Sequence, residues 1–389
     1  MKAIPYARQS ISEADIAAVV EVLRSDWLTQ GPAIARFEEG VAAYCGTRHA
    51  VAVSNGTAAL HLACLALGLG PGDLLWTTPN TFAASANCAR YCGADVDFVD
   101  IDPASYNLSV PALEEKLSRA RTAGRLPKIL VAVHFGGRSC DMLAIGRLAA
   151  QYGVRVVEDA SHAVGAEHRA AKVGACAHSD IAVFSFHPVK ILTTGEGGML
   201  MTNSDALARK LRLLRTHGIT REAAEMEGSP EGAWYYEQVA LGYNYRMTDV
   251  QAALGSSQLV RLAQFLARRR ELVRRYEAAL GSLPLATPQD DPHGRSAWHL
   301  YAIQLDLKAA GVSRRQVFER MRAAGVLVNV HYIPVHLQPY YRALGFKPGD
   351  FPASERFYER ALSLPLYFAL GNEEQDRVCA ALRAALATP

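Results

Sequence analysis

Ile181-Ala182-Val183-Phe184-Ser185-Phe186-His187-Pro188-Val189-Lys190 reads as an apolar strand that meets a lysine and runs on into the glycine-rich turn Thr193-Thr194-Gly195-Glu196-Gly197-Gly198. Six more short β-rich runs share its character: His49 to Ser54, Leu74 to Thr78, Val96 to Ile101, Ile129 to Phe135, Val154 to Glu158 and Met199 to Thr202. Helical patterns lie between most of them. The alternation predicts an α/β fold whose large domain is built on a mostly parallel seven-stranded sheet buried on both faces. Active sites of such sheets gather at the carboxyl ends of the strands.

Outward from this centre, Ser12 with Asp15 three residues on predicts a capping box before Ile16, Val19, Val20, Val22 and Leu23. Trp27 to Pro32 reads as a loop, and a second helix carries Phe37 and Val41. Beyond Thr248-Asp249-Val250 a single long helical pattern extends to about Leu283, where Pro284 and Pro288 punctuate the chain. A strand near Trp298 to Leu305, a helix from Ser313 to Ala324, a strand at Val326 to Val330 and helices at Ser354 to Ala361 and Asn372 to Ala387 follow. This pattern divides the chain into a large domain, 1–255, and a smaller C-terminal α+β domain, 256–389.

Composition excludes several functions. The net charge of +3 comes from 41 basic and 38 acidic residues mixed along the 389-residue chain, so no nucleic-acid partner is expected. Arg268-Arg269-Arg270 and Arg274-Arg275 read as the solvated face of a helix. No apolar run suffices for a membrane helix, and the N-terminus lacks the apolar core of a signal peptide. The seven cysteines form no CxxC pair, and Cys88 and Cys92 read as small buried side chains, so no metal is expected. A reduced, cytoplasmic setting is the expectation.

The chemistry lies at four strand ends. Ser54-Asn55-Gly56-Thr57 follows a strand and opens a helix, where free N–H groups and a hydroxyl make a phosphate cradle. Phe82, after Thr81, offers a ring at a strand end to stack on a planar heterocycle; alone it would be read as core. Glu158 and Asp159 end an apolar strand and point to opposite faces, and Asp159, at the very end, is the acid expected to keep a pyridine nitrogen protonated. Lys190 is costly to bury as a cation, and a Schiff base answers that cost; Ser185 supplies a second hydroxyl for phosphate. Phosphate turn, stacking ring, carboxylate and buried lysine are together what pyridoxal 5'-phosphate (PLP) requires. The competing dinucleotide reading rests only on Gly68-Leu69-Gly70-Pro71-Gly72, which lacks the full fingerprint and follows a helix.

These residues, with Leu28-Thr29-Gln30-Gly31, Asp159-Ala160-Ser161-His162 and Tyr243-Asn244-Tyr245-Arg246-Met247-Thr248-Asp249, resemble the DegT/DnrJ/EryC1/StrS nucleotide-sugar aminotransferases. The resemblance implies a fold-type-I PLP transferase, a homodimer with sites shared between subunits, and pyridoxamine 5'-phosphate as the intermediate form of the cofactor. It assigns Lys190 to the cofactor's Schiff base, Asp159 to the pyridine nitrogen, Phe82 or His162 to ring packing, and Gly56, Thr57, Ala58 and Ser185 to the phosphate region. Asn244 would reach the neighbouring subunit's site.

Pro5-Tyr6, Trp234-Tyr235-Tyr236-Glu237 and the stretch from His331 to Tyr341 are similar to the branch of the family that serves pseudaminic acid biosynthesis. That likeness implies a UDP-linked 4-keto-6-deoxy-N-acetylhexosamine as substrate and L-glutamate as donor. It places Tyr6, Leu28, Thr29, Gln30, Gly31, Ala58, Ser185, Asn244, Asn329, Val330, His331, Tyr332 and Phe346 around the sugar nucleotide. GDP- or dTDP-linked keto sugars, or a PLP-binding protein without turnover, are the alternatives. His134 to Asp141, with Gly136 and Gly137, departs from a family pattern that often has alanine and proline there. Lysine at 190 disfavours the related dehydratases, which carry histidine at that place.

Overall fold

The computed structural model describes residues 3–387. Its centre is a seven-stranded sheet of β1 (His49–Val53), β2 (Leu74–Thr77), β3 (Asp95–Phe98), β4 (Ile129–Val133), β5 (Arg155–Asp159), β6 (Ile181–Ser185) and β7 (Gly198–Thr202). The spatial order is β1-β7-β6-β5-β4-β2-β3. Only β7 runs antiparallel to its neighbours, and the other pairings are parallel. Every residue of β2, β4 and β7 is buried, which is why these strands read as continuous apolar runs instead of alternating ones.

Helices α1 (Glu13–Leu23), α2 (Pro32–Cys45), α3 (Gly56–Ala66) and α4 (Ala84–Tyr91) pack around this sheet. The expected capping box is present: Ser12 Oγ accepts from the Asp15 N–H at 3.3 Å, and the Asp15 carboxylate accepts from the Ser12 N–H at 2.8 Å. Asp15 also accepts from Ser257, Gln258 and Arg261, and so ties α1 to the helix Asp249–Val260. One face of the sheet packs Val51, Leu60, Val131 and Val183 together, and the other gathers Phe37, Phe184, Met199 and Phe265.

The C-terminal part departs from expectation in several places. The single long helix is two, Asp249–Val260 and Leu262–Leu280, meeting at Arg261. Ala361, expected in a helix, begins the strand Ala361–Leu364, which pairs with Tyr301–Leu305. The strand expected over Val326 to Val330 is broken: Val326–Leu327 pairs with the two-residue strand Ile4–Pro5, and Asn329 makes a separate bridge to Ser363. Ile4 thereby joins the core of Tyr276, Tyr301, Ile303, Leu362 and Val378 although it opens the chain.

Arg269 corrects the reading of the arginine cluster as solvated. It is 2 % exposed, and the spacing of buried Leu262, Phe265, Leu266, Leu272, Val273 and Tyr276 puts position 269 on the apolar stripe of its helix. Its guanidinium donates to the carbonyls of Trp298, His299 and Leu366. Burial pulls its pKa down to about 10. Among the described residues no helix is long and apolar enough to cross a membrane.

Candidate active site

A cleft of about 1010 Å³ opens where the carboxyl ends of β1, β5 and β6 meet the segment Asn329 to Tyr332. At its floor the turn after β1 feeds α3. Asn55 caps that helix by accepting from the Ala58 N–H at 2.8 Å. The Gly56 and Thr57 N–H groups, in the first turn, have no intrahelical acceptor, and their positive helix end faces the cleft. A Cβ at position 56 would lie 2.9 Å from Ser185 Cβ. Glycine there lets the start of α3 and the end of β6 come together, so Thr57 and Ser185 line one corner.

Alternation along β5 separates its two acids. Asp159 lines the cleft and is 6 % exposed; its carboxylate accepts from Ser85 Oγ at 2.5 Å and from the Ser161 N–H at 3.1 Å. Ser85 in turn bonds Thr81 Oγ1 at 2.7 Å. Glu158 turns the other way, into a buried pair with His134 Nε2 at 2.7 Å, and Ser179 also donates to it. The Cys140 N–H donates to His134 Nδ1, so the ring keeps its proton on Nε2 and gives it to Glu158. Burial works against the Glu158 charge, but the bonds from His134 and Ser179 outweigh it and hold its pKa low. Glu158 is therefore structural and Asp159 is the acid presented to a ligand.

Lys190 is not on the strand. β6 stops at Ser185, and Lys190 stands in the turn that follows, its N–H bonded to the His187 carbonyl at 2.8 Å. It is half-buried because it lines an open cleft. Dense protein around the ammonium nevertheless pushes its pKa down to about 8, although Asp159 pulls it up. A lysine poised there is a nucleophile near neutral pH. The rate at which the apoenzyme captures PLP should therefore rise roughly tenfold per pH unit below about 8 and level off above it. Stopped-flow absorbance checks this; a rate still climbing at that slope towards pH 10 would contradict it.

Two candidate ring-packing residues flank the cleft differently. His162 is buried, with Nδ1 accepting from the Gly136 N–H and Nε2 3.1 Å from Tyr332 Oη. Its ring lies nearly parallel to that of Tyr332 and close to His299. Burial, then Lys190 and His331, push its pKa well down, so it is a neutral ring. Phe82, which alone would be read as core, is 61 % exposed at the cleft wall. Gly136 and Gly137, the departure from the family pattern, take positive φ. A Cβ at 137 would lie 2.8 Å from the Trp298 nitrogen, so glycine allows the loop that holds His162 to touch the Trp298-His299 backbone.

Tyr6, Ala58, Asn329, Val330, His331 and Tyr332 line the same cleft. Leu28, Thr29, Gln30, Gly31, Asn244 and Phe346 do not line it within one chain. Asp249 holds the 28–31 loop elsewhere, its N–H bonded to the Leu28 carbonyl and its carboxylate accepting from the Gly31 and Ala33 N–H groups. Asn244 is exposed and bridges Thr216. Phe346 packs edge-on against Phe98 at 5.1 Å, in the core.

A donor-rich helix start, a ring-packing wall, a buried carboxylate and a lysine of lowered pKa in one cleft fit PLP. A model of the DegT/DnrJ/EryC1/StrS aminotransferase family matches residues 9–383. The chain belongs to that family. The spore coat polysaccharide biosynthesis protein SpsC of Bacillus subtilis (strain 168) is 43% identical over 383 residues, 98% of this chain and 96% of SpsC. Helicobacter pylori PseC, an aminotransferase involved in the biosynthesis of pseudoaminic acid, superposes with TM-score 0.90 at 29% identity, covering 99% of each chain. The putative sugar aminotransferase Spr1654 from Streptococcus pneumoniae, in its PMP form, gives 0.89 at 28% identity over 98% of this chain and 99% of the other. This DegT-family protein is a PLP-dependent sugar aminotransferase of fold type I.

The sequence reading missed Ser85, the donor to Asp159 at the start of α4, which also bonds Thr81 in the turn before that helix. It also missed His134, whose pairing with Glu158 depends on strands meeting in space.

Proposed function

We propose that this DegT-family enzyme moves an amino group from L-glutamate to the C4 ketone of a UDP-linked 4-keto-6-deoxy-N-acetylhexosamine. The observation that carries the reading is the wall Asn329 to Tyr332 with Tyr6, seated across the same cleft from Lys190 and Asp159. The likeness to PseC along nearly the whole chain supports it. In this reading Gly56, Thr57, Ala58 and Ser185 hold the phosphate of PLP, Asp159 faces the ring nitrogen, and His162 and Phe82 pack on the ring. Bound there, PLP supplies the electron sink that makes the carbon beside the transferred nitrogen acidic.

Lys190 Nζ, free once the donor's amine takes its place, would remove the proton from the donor's α-carbon, and water would supply the ketone oxygen as 2-oxoglutarate leaves without its nitrogen. In the second half-reaction the same Nζ handles the protons that complete amination at C4. Asp159, fixed by Ser85 and Ser161, keeps its negative charge against the ring nitrogen throughout. Tyr6 and Asn329 to Tyr332 orient the sugar. Asn244 and the loop from Leu28 to Gly31 act in the site of a second copy in a homodimer; the exposure of Asn244 and Leu28 supports this.

A second reading is a GDP- or dTDP-linked 4-keto-6-deoxy sugar as acceptor; the likeness to SpsC, named for spore coat polysaccharide biosynthesis, supports an acceptor outside pseudaminic acid synthesis. Incubation with UDP-, GDP- and dTDP-linked 4-keto sugars, with products identified by NMR, separates the two. Amination of the UDP-N-acetyl sugar is the expected result. No activity with any UDP sugar, beside turnover of a GDP or dTDP sugar, would remove the first reading.

A further inference from the structure

Both substrates of this reaction are anions, and the cleft must counter them. A carboxylate donor and a sugar diphosphate enter a cleft already lined by Asp159 and Glu196 and fitted for a phosphorylated cofactor. Among the described residues, no arginine lines it, and its cationisable side chains are Lys190, His61, His162, His187 and His331.

Four of these are committed elsewhere. Lys190 is consumed as the covalent attachment point. His162 is a neutral ring with both nitrogens bonded, to the Gly136 N–H and to Tyr332 Oη. His331 uses Nδ1 on Ser363 Oγ at 2.8 Å and Nε2 on Asn329 Nδ2 at 3.3 Å. Burial and Lys190 push its pKa down to about 3. His61 bonds Tyr245 Oη through Nδ1; among the described residues its Nε2 has no partner, but the residue is 5 % exposed and its ring is packed against the rings of Tyr91, Tyr243 and Tyr245, away from an incoming ligand.

His187 is different. It is exposed at the cleft, on the turn between β6 and Lys190. Its ring makes one long contact, Nδ1 accepting from the Val189 N–H at 3.4 Å, and among the described residues Nε2 has no partner. Nothing in the packing requires an imidazole there.

We propose that His187 is a substrate-binding hydrogen-bond donor of the cleft, its Nε2–H pairing with an oxyanion of the incoming substrate. The shared chemistry is an oxygen anion, supplied either by a carboxylate of the donor or by the diphosphate of the nucleotide sugar. The inference rests on the sugar-aminotransferase reaction and not on which sugar is used. His187 touches substrate and leaves the chemistry to Lys190, so its loss acts on affinity and spares the limiting rate.

The test is calorimetric titration of the PLP-loaded enzyme with 2-oxoglutarate as the dicarboxylate probe and with UDP, GDP and dTDP as diphosphate probes. His187→Ala is expected to weaken at least one probe about tenfold, while His187→Arg, which restores an N–H donor, stays within about threefold of the parent. Unchanged absorbance of the bound cofactor in both variants shows that the site is intact. Weakening confined to 2-oxoglutarate assigns the donor carboxylate; weakening confined to the nucleotides assigns the diphosphate. Equal binding of every probe by the parent and His187→Ala, absence of binding by the parent, or equal loss in Ala and Arg overturns the proposal. Failure of the UDP-sugar reading would show separately, as UDP binding no tighter than GDP or dTDP beside an undiminished effect of His187→Ala.

Discussion

Lys190→Ala is expected to lower transamination by at least about a thousandfold and to erase the absorbance of the covalently attached cofactor. The lysine does two jobs that no neighbour can take over. It is the one amine that lines the cleft among the described residues, and His162 and His331 beside it are held neutral by burial. The variant should fold, because Lys190 is half-buried on a turn whose backbone bond runs from its N–H to His187 and does not involve the side chain. Removing the ammonium also removes the burial cost that pushes its pKa down to about 8. Steady-state kinetics, cofactor absorbance and a thermal melt report the three parts separately. A variant with near-normal turnover would contradict the assignment of Lys190.

Asp159→Asn should lower kcat by roughly a hundredfold to a thousandfold while keeping the covalent attachment. The side chain's shape is preserved but its charge is not. The acid accepts from both Ser85 Oγ and the Ser161 N–H; an amide has only one oxygen to offer and turns its NH₂ towards one of these donors. The loss then falls on the step that needs a cationic ring nitrogen. Cofactor absorbance with kcat measured at saturating donor checks this, and a variant within tenfold of the parent would remove Asp159 from its role. Glu158→Gln provides the contrast, since Glu158 faces His134 away from the cleft and its replacement should cost stability before rate.

Much of this was legible in the chain because the signals are local. Strands buried on both faces announce themselves as apolar runs, so Leu74–Thr77 and Ile129–Val133 emerge directly. A turn before a helix announces free N–H groups at Thr57, and alternation at a strand end separates Asp159 from Glu158. What could not be read depends on partners distant in sequence. Val326 to Val330 is β-rich, but its pairing is divided between Ile4–Pro5 near the start of the sequence and Ser363, both distant in sequence. Phe346 carries nothing local to distinguish a cleft residue from one packed on Phe98. Arg269 was legible and was masked: its spacing sits on the apolar stripe, but its charge and its arginine neighbours suggested solvent.

The measurement that bears most directly on the account is reduction of the PLP-loaded enzyme with borohydride, followed by peptide mapping by mass spectrometry. The account predicts a single pyridoxyl-phosphate adduct, on Lys190. An adduct on any other lysine, with Lys190 unmodified, would contradict it.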